Sequence, residues 1–266
     1  MKQLTIGKPY INSNKLCSEI YLSDKDETVV LWYEVSSEYV PYFCTEKSDA
    51  FLVNILLYAM EKDYNIVCEG CISEKLYYQL TEYLLPTITQ NIEIYKPIVI
   101  KATLSSEILL SKNGVGGSIS GGVDSFFTAI KHTDRLESNY NITHYTFFNA
   151  GASGMYGGKK AREIFHKRID WIKQVAINQR KPLVVVDTNF NEFLHQVHVE
   201  THTFRSLAIP LALQKLFSVY YYASGIPFNE FEISKADTAS YDLLIMSCLN
   251  TENITFYSHG GNITRI

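Results

Sequence analysis

No apolar run in the 266 residues approaches the roughly 18 to 20 that a membrane-spanning helix needs, so the sequence predicts no membrane span. The start, Met1-Lys2-Gln3-Leu4-Thr5-Ile6-Gly7-Lys8, lacks an apolar stretch with a cleavage site, which argues against a secretory signal peptide. Cysteine is sparse and odd in number, at 5, so free thiols are expected rather than a disulfide framework. Cys68-Glu69-Gly70-Cys71 is a lone pair without the second pair a zinc site requires. It reads as two small residues on a partly buried strand and turn. A basic excess is missing too: 24 Lys+Arg against 28 Asp+Glu leave a net charge of −4, unlike a protein that coats nucleic acid. Nucleic acid is therefore not a favoured partner. With 46% hydrophobic and 20% charged residues and no internal repeat, collagen-like, disordered and coiled-coil classes fall away. These absences predict a soluble, cytoplasmic chain of one large domain, or one domain with a smaller companion.

The first 112 residues mix both kinds of element. Thr28 to Val35 is dense in β-branched and aromatic residues and reads as a strand. Ser48 can cap a helix carrying Phe51, Leu52, Ile55, Leu56 and Ala59 on one stripe. Ser73 can cap another, with Leu76, Leu80, Tyr83 and Leu84 inward and Pro86 beyond its end. Ile92, Ile94, Ile98 and Ile100 alternate as a strand with Pro97 at an edge or bulge. Residues 1–112 are thus expected to form a small α+β domain of unknown role, a candidate surface for a protein partner or a homodimer.

From residue 113 to 266 the pattern becomes strand, loop, helix, repeated, which predicts a parallel sheet covered on both faces. Gly114 to Gly122 leads into a helix from Val123, and His144 to Phe148 reads as a strand. After a loose loop, Gly151 to Gly158, a long helix follows with Ala161, Ile164, Phe165, Ile172, Val175 and Ala176 inward. Leu183 to Val186 reads as a strand buried on both faces, and Leu207 to Ala223 as a deeply packed helix. Phe231 to Ile233 and Ile254 to Tyr257 are the last strand candidates. The chain ends at Thr264-Arg265-Ile266 without a helix or cap, which suggests a further C-terminal segment beyond it.

The segment richest in chemistry is Ser118-Ile119-Ser120-Gly121-Gly122-Val123-Asp124-Ser125. It lies where a strand ends and a helix begins, the place where ligands bind in open α/β sheets. Two glycines let backbone approach an anion, and the amides of the helix's first turn point at it. Ser120 and Ser125 add hydroxyl donors. Asp124 would repel phosphate, so it is expected to face a bound cation or to cap the loop; together these suggest a polyphosphate with magnesium. No G-x-x-x-x-G-K-[ST] and no G-x-G-x-x-G occurs, so the Walker loop and the dinucleotide fingerprint are both absent.

Ser120-Gly121-Gly122-Val123-Asp124-Ser125 resembles the PP-loop of the ATP pyrophosphatases, or adenine nucleotide α-hydrolases. That group includes the GMP, NAD, asparagine and argininosuccinate synthetases, tRNA thiolation enzymes and 7-cyano-7-deazaguanine synthase. The resemblance implies an α/β fold with a HUP-type, Rossmann-like parallel sheet flanked by helices, and ATP with Mg2+ as cofactors. It implies cleavage between the α and β phosphates, so that a carbonyl oxygen of an unidentified substrate is adenylated. An amine, ammonia or sulfur nucleophile then displaces AMP. The nucleotide-binding set implied is Ser118, Ser120, Gly121, Gly122, Val123, Asp124, Ser125 and Phe148, with Asp124 on the magnesium.

Downstream, the chain is most similar to the 7-cyano-7-deazaguanine synthase branch. Arg205 stands where that branch has an Arg-Asn pair, and Asp237-Thr238-Ala239-Ser240-Tyr241-Asp242 is similar to its D-x-x-x-Y-P-D segment. This likeness implies catalytic roles for Asp124, Arg205 and Asp237. Ser206 replaces the asparagine, the proline is missing, and the terminal zinc-binding cysteines are absent. The likeness covers about residues 113 to 258.

Other constellations stay open. His195, His198 and His202 would share one face of a helix, as metal ligands or as a polar rim, but a loop is equally compatible. Arg205 can grip phosphate bidentately or close a salt bridge. Lys159, Lys160, Arg162, Lys167 and Arg168 read first as a solvated helix face and second as a lid over polyphosphate. Asp237 and Asp242 could serve magnesium or substrate, and Lys235 could neutralise pyrophosphate. Cys248 would serve a sulfur-transferring branch or fill the core. The nucleophile is thus nitrogen or sulfur, and a non-catalytic nucleotide-binding protein is the remaining alternative.

Overall fold

A computed structural model describes residues 2–262; the ending at Thr264-Arg265-Ile266 lies outside the described residues. The elements in chain order begin with β1 (Lys2–Ile6), β2 (Tyr10–Asn12), β3 (Lys15–Leu22), β4 (Glu27–Glu34), α1 (Asp49–Lys62) and β5 (Tyr64–Ser73). Next come α2 (Glu74–Gln79), α3 (Leu85–Asn91), β6 (Ile100–Ser105), β7 (Gly114–Ser118), α4 (Val123–Lys131), β8 (His144–Phe148) and α5 (Gly158–Asn178). The series closes with β9 (Leu183–Thr188), α6 (Phe190–Leu194), α7 (His202–Ala212), β10 (Phe217–Ala223), α8 (Asp242–Leu249) and β11 (Thr255–His259). No described helix is long and apolar enough to cross a membrane.

The architecture is α/β: a large mixed sheet of eleven strands, flanked by helices. Its order is β11-β10-β7-β8-β9-β4-β3-β1-β5-β6, with β2 paired to β3. The first five in that order run parallel. β4 then joins β9 antiparallel, Tyr33 opposite Thr188 and Glu34 opposite Asp187. There the Asn189 side chain extends the ladder, accepting from the Trp32 amide at 2.9 Å and donating to the Val30 carbonyl at 2.9 Å.

Alternation along the strands builds two cores. Tyr220, Val184 and Val186 face a large cluster that includes α1, α7 and α8. Tyr221 belongs to a smaller one under α4 and α5, against which Leu183 and Val185 of β9 also pack. Helix α1 is buried from Asp49 to Met60, all round rather than along one stripe, so it is an interior helix. The glycine-rich β7 fits its central position by lacking side chains: a Cβ on Gly116 would come within 2.5 Å of the Tyr220 ring.

Several sequence expectations are corrected. Leu207–Ala223 is not one helix; α7 stops at Ala212, and the aromatic, β-branched stretch 217–223 is strand β10. Apolar composition alone cannot separate a buried helix from a central strand. Ile92 to Val99 is not a strand; only Ile100 enters β6. Pro86 does not follow a helix end: it opens α3, after a π turn over Leu80–Leu84 that shifts the hydrogen-bond register where a proline has no amide to give. Tyr83 is exposed, and so is Ile164, while Ile169 takes the inward place on α5. Leu183 to Val186 is fully buried on one face and partly on the other. Residues 231–233 form no strand. Ser48 precedes α1 but makes no capping bond, and its hydroxyl is unpartnered.

The carboxylate that follows Ser48 has the larger role. Asp49 is fully buried, accepting from the Ser73 amide at 2.8 Å, the Ser73 hydroxyl at 2.7 Å and Gln214 Nε2 at 2.9 Å. Thr251 donates to Gln214 Oε1 at 2.7 Å, and buried Lys47 donates to Ser73 Oγ at 3.2 Å. Burial raises the Asp49 carboxyl above its ordinary value, against the opposing pull of those donors. Asp49→Ala would orphan three buried donors, each worth about 1–3 kcal/mol. We expect it to lower the urea midpoint by an amount equivalent to about 3 kcal/mol, with m unchanged; a loss below about 0.5 kcal/mol would contradict this role.

Candidate functional site

Ser118 ends β7, and the chain turns through Ile119, Ser120, Gly121 and Gly122 into α4. Gly121 sits at φ +87°, in the left-handed region, and a Cβ there would lie 2.4 Å from the Trp171 ring. Ser125 organises the turn. Its hydroxyl donates to the Gly122 carbonyl at 2.8 Å and accepts from the Ser120 amide at 3.2 Å. The Ser120 and Ser125 hydroxyls are 3.2 Å apart, and the Gly122 amide donates to Ser120 Oγ at 3.4 Å. Expected as a donor toward a ligand, Ser125 is here spent on holding the loop. Gly122 differs from Gly121: it has an ordinary φ of −83°, and an added Cβ would meet only Ser120 Oγ, at 3.5 Å. Nothing in the fold therefore demands glycine at 122.

The loop forms one wall of a cleft of about 280 Å³, just below the range for small-molecule sites (about 300–1,000 Å³). It opens at the carboxyl ends of β7, β8 and β10. β7 leads through α4 to β8 on one side, whereas its other neighbour, β10, leads through α8 to β11 on the other side. Such a reversal leaves a crevice that no crossover covers. Ser118, Ser120, Asp124, Ser125 and Phe148 of the sequence-predicted set line this cleft. Gly121, Gly122 and Val123 form the turn itself, with Val123 pointing to solvent.

The opposite wall holds a hydrogen-bonded chain. The Tyr222 hydroxyl and His202 Nδ1 are 2.9 Å apart, and His202 Nε2 and Asp237 Oδ1 are 2.8 Å apart. An ionised carboxylate only accepts, so Nε2 carries the proton and Nδ1 accepts from Tyr222. Asp237 also accepts from the Ala239 amide at 2.8 Å. The His202 bond, more than that amide, holds the Asp237 carboxyl below its ordinary value. Tyr222 and His202 line the cleft, and Asp237 stands one hydrogen bond behind it. Burial raises the Tyr222 phenol, so a standing phenolate is disfavoured.

The remaining candidates are dispersed. Arg205 is 2% exposed and does not reach the cleft; Nη1 donates to Asn191 Oδ1 at 2.6 Å, Nη2 to the Gln196 carbonyl at 3.4 Å, and Nε is unpartnered. Burial lowers it to about 10, and it lies under the turn at Gly151. The three histidines do not share a helix face: His195 ends α6 in the left-handed region beside Tyr156, while the His198 and His202 rings are 5.3 Å apart. Among the described residues no three His, Cys, Asp or Glu side chains form a metal-holding group. Lys235 pairs with Glu200 at 3.4 Å. Asp242 is buried, raised to about 6 by that burial, and off the cleft. Cys248 is buried on α8, its thiol raised by burial. Cys68 and Cys71 both lie on β5 as free thiols.

Tyr222 was not legible as a site residue, because its stretch reads as helix; read as a strand, Tyr220 and Tyr222 fall on one face. Arg168 carried no mark that set it apart from its basic neighbours, yet it lines the cleft. No protein-family model, no curated protein and no solved structure matches the chain.

His198, also on the cleft, is lowered to about 4 by burial and by His202 and Arg205. Its folded value lies below the ordinary 6.5, so the unfolded chain binds more protons between the two. Stability from this group is present above about pH 6.5 and is lost as pH falls toward about 4. His198→Phe should flatten the fall of Tm across that window; an unchanged slope would show that His198 is not buried neutral.

Proposed function

We propose that this chain is an ATP-dependent ligase of the PP-loop type, similar to 7-cyano-7-deazaguanine synthase. It cleaves ATP between the α and β phosphates, adenylates a carboxylate or amide carbonyl, and transfers that carbonyl carbon to a nitrogen nucleophile. The observation that carries this reading is the position of Ser120-Gly121-Gly122-Val123-Asp124-Ser125: at the carboxyl end of the strand where the parallel order reverses, facing a cleft. The five parallel strands β11-β10-β7-β8-β9 are the part of the sheet that would correspond to a HUP-type core.

The residues fit a polyphosphate. Open space in front of Gly122, where a Cβ meets nothing nearer than 3.5 Å, is what a cradle approached by a ligand requires. The first amides of α4 then face the leaving pyrophosphate and stabilise charge gathering on it. Magnesium, riding on the phosphates with Asp124 as its protein carboxylate, would draw charge from them; it commonly needs only one or two such ligands. Phe148 offers an aromatic wall beside the loop, its ring stacked on Tyr220. Across the cleft, a nitrogen nucleophile sheds a proton as it attacks. Tyr222 takes that proton while its own passes to His202 Nδ1, and Asp237 stabilises the imidazolium. This concerted passage needs no standing phenolate. Sulfur transfer through Cys248 finds no support, because that thiol is buried away from the cleft.

Calorimetric titration of ATP and AMP with magnesium, on wild type and Gly122→Val, tests the reading. The first atom of the valine side chain meets nothing nearer than Ser120 Oγ at 3.5 Å, so the variant should fold, with only a modest loss of Tm from the poorer N-cap of α4. We expect wild type to bind ATP and the variant to bind it at least 10-fold more weakly. If wild type binds neither nucleotide, the reading is withdrawn.

A further inference from the structure

Five cations lie along the first half of α5, and they do not behave alike. Lys159, Lys160 and Lys167 are exposed to solvent. Arg162 is consumed by Asp187 and Glu192 and donates to the Thr188 carbonyl. Arg168 alone of the run lines the cleft. Its Nη2 donates to the Ser120 carbonyl at 3.1 Å, and its guanidinium lies 5.4 Å from the centre of the Phe147 ring. Among the described residues it pairs with no carboxylate.

Two features make this guanidinium more than a surface charge. First, its direction is set: the carbonyl bond and the Phe147 face hold the plane against the glycine loop. Trp171, on the same helix face, packs on Gly121. Second, most of its capacity is unspent. A guanidinium carries five N–H donors in a rigid fork, and Ser120 takes one of them.

We propose that Arg168 is a specificity-determining residue that makes the cleft select ligands bearing two or more linked phosphates over monophosphates. One phosphate is satisfied by the amides that start α4. A second phosphate extends past the loop toward α5 and meets the free edge of the guanidinium. The inference rests on the nucleotide-site reading above, and it adds to it which wall receives the pyrophosphate end. Arg168 acts on ligand binding directly and on loop shape through Ser120. A lysine would keep the charge but could not bond the carbonyl and a phosphate oxygen in one plane.

The test is calorimetric titration of inorganic pyrophosphate, AMP and ATP, each with magnesium, on wild type, Arg168→Gln, Arg168→Lys and Lys167→Gln. We expect wild type to bind pyrophosphate. Arg168→Gln should weaken pyrophosphate at least 10-fold and AMP less than 2-fold, with Arg168→Lys between wild type and the glutamine variant. Lys167→Gln, which removes an equal charge one residue away, should change neither. An unchanged Tm confirms that the variants fold, and the lysine variant keeps the comparison open if the glutamine one does not. The proposal is overturned if wild type binds no pyrophosphate, if Arg168→Gln leaves pyrophosphate unchanged, or if it weakens AMP and pyrophosphate alike. If ATP binds but Arg168→Gln has no selective effect, this inference fails and the nucleotide reading stands. If pyrophosphate binds through Arg168 but ATP does not, the nucleotide reading fails and the anion site stands.

Discussion

A carboxylate with no access to water sits where four parts of the chain meet. Asp49 opens α1, Ser73 ends β5, Gln214 lies between α7 and β10, and Thr251 lies between α8 and β11. An unsatisfied charge at that depth would cost several kcal/mol, so the donors must all arrive together. Their arrival fixes where α7 hands over to β10, and hence where His202 and Tyr222 stand relative to each other. The constraint reaches from residues near 50 to residues near 250. For this reason the early residues cannot be treated as a bystander to the glycine loop: a polar network joins them to the segments that form the far wall of the cleft.

The cleft itself follows from topology more than from any single contact. Parallel strands require crossovers, and two neighbouring strands left in opposite directions have a crevice between their ends. β7, left toward β8, and β10, left toward β11, are those strands. Gly116 of β7 admits the Tyr220 ring, which brings β10 and its aromatic residues up to the loop. One wall is then rich in backbone, from the glycine loop and the start of α4. The other is a side-chain chain from Asp237 through His202 to Tyr222, able to hold and pass a proton. In the proposed reaction these would be complementary capacities, one for charge leaving and one for a proton leaving.

The α5 helix supports the first wall from outside. Trp171 against Gly121 explains why that glycine cannot be replaced, and Arg168 on the Ser120 carbonyl explains the direction in which the loop's backbone faces. The internal bonds of Ser125 complete a preformed turn, the condition that the proposed reaction would need to stabilise charge without reorganisation.

Local pattern alone was enough for much of this protein. The loop sequence, its place between a strand and a helix, β4, β8, β11 and the long α5 all follow from short-range preferences and spacing, which act within a few residues. Ser118, Ser120, Asp124 and Ser125 sit together on one short turn, so their shared wall of the cleft follows from their closeness in sequence, whereas Phe148, at the end of β8, was named only through the resemblance and is brought beside them by the pairing of β7 with β8. Partners distant in sequence could not. Whether Phe217 to Ala223 is helix or strand depends on β7 and β11 being there to pair with it, and an apolar run carries no period that tells the two apart. Arg205 has the residue type of a phosphate ligand, but burial beneath the Gly151 turn keeps it from the cleft, whereas Arg168, one of five similar cations, is brought to it by helix phase. The meeting of Tyr222, His202 and Asp237 was likewise decided only by the tertiary structure, because hydrogen bonds between residues 20 and 35 positions apart are set by how helices and strands pack, not by the residues that flank them.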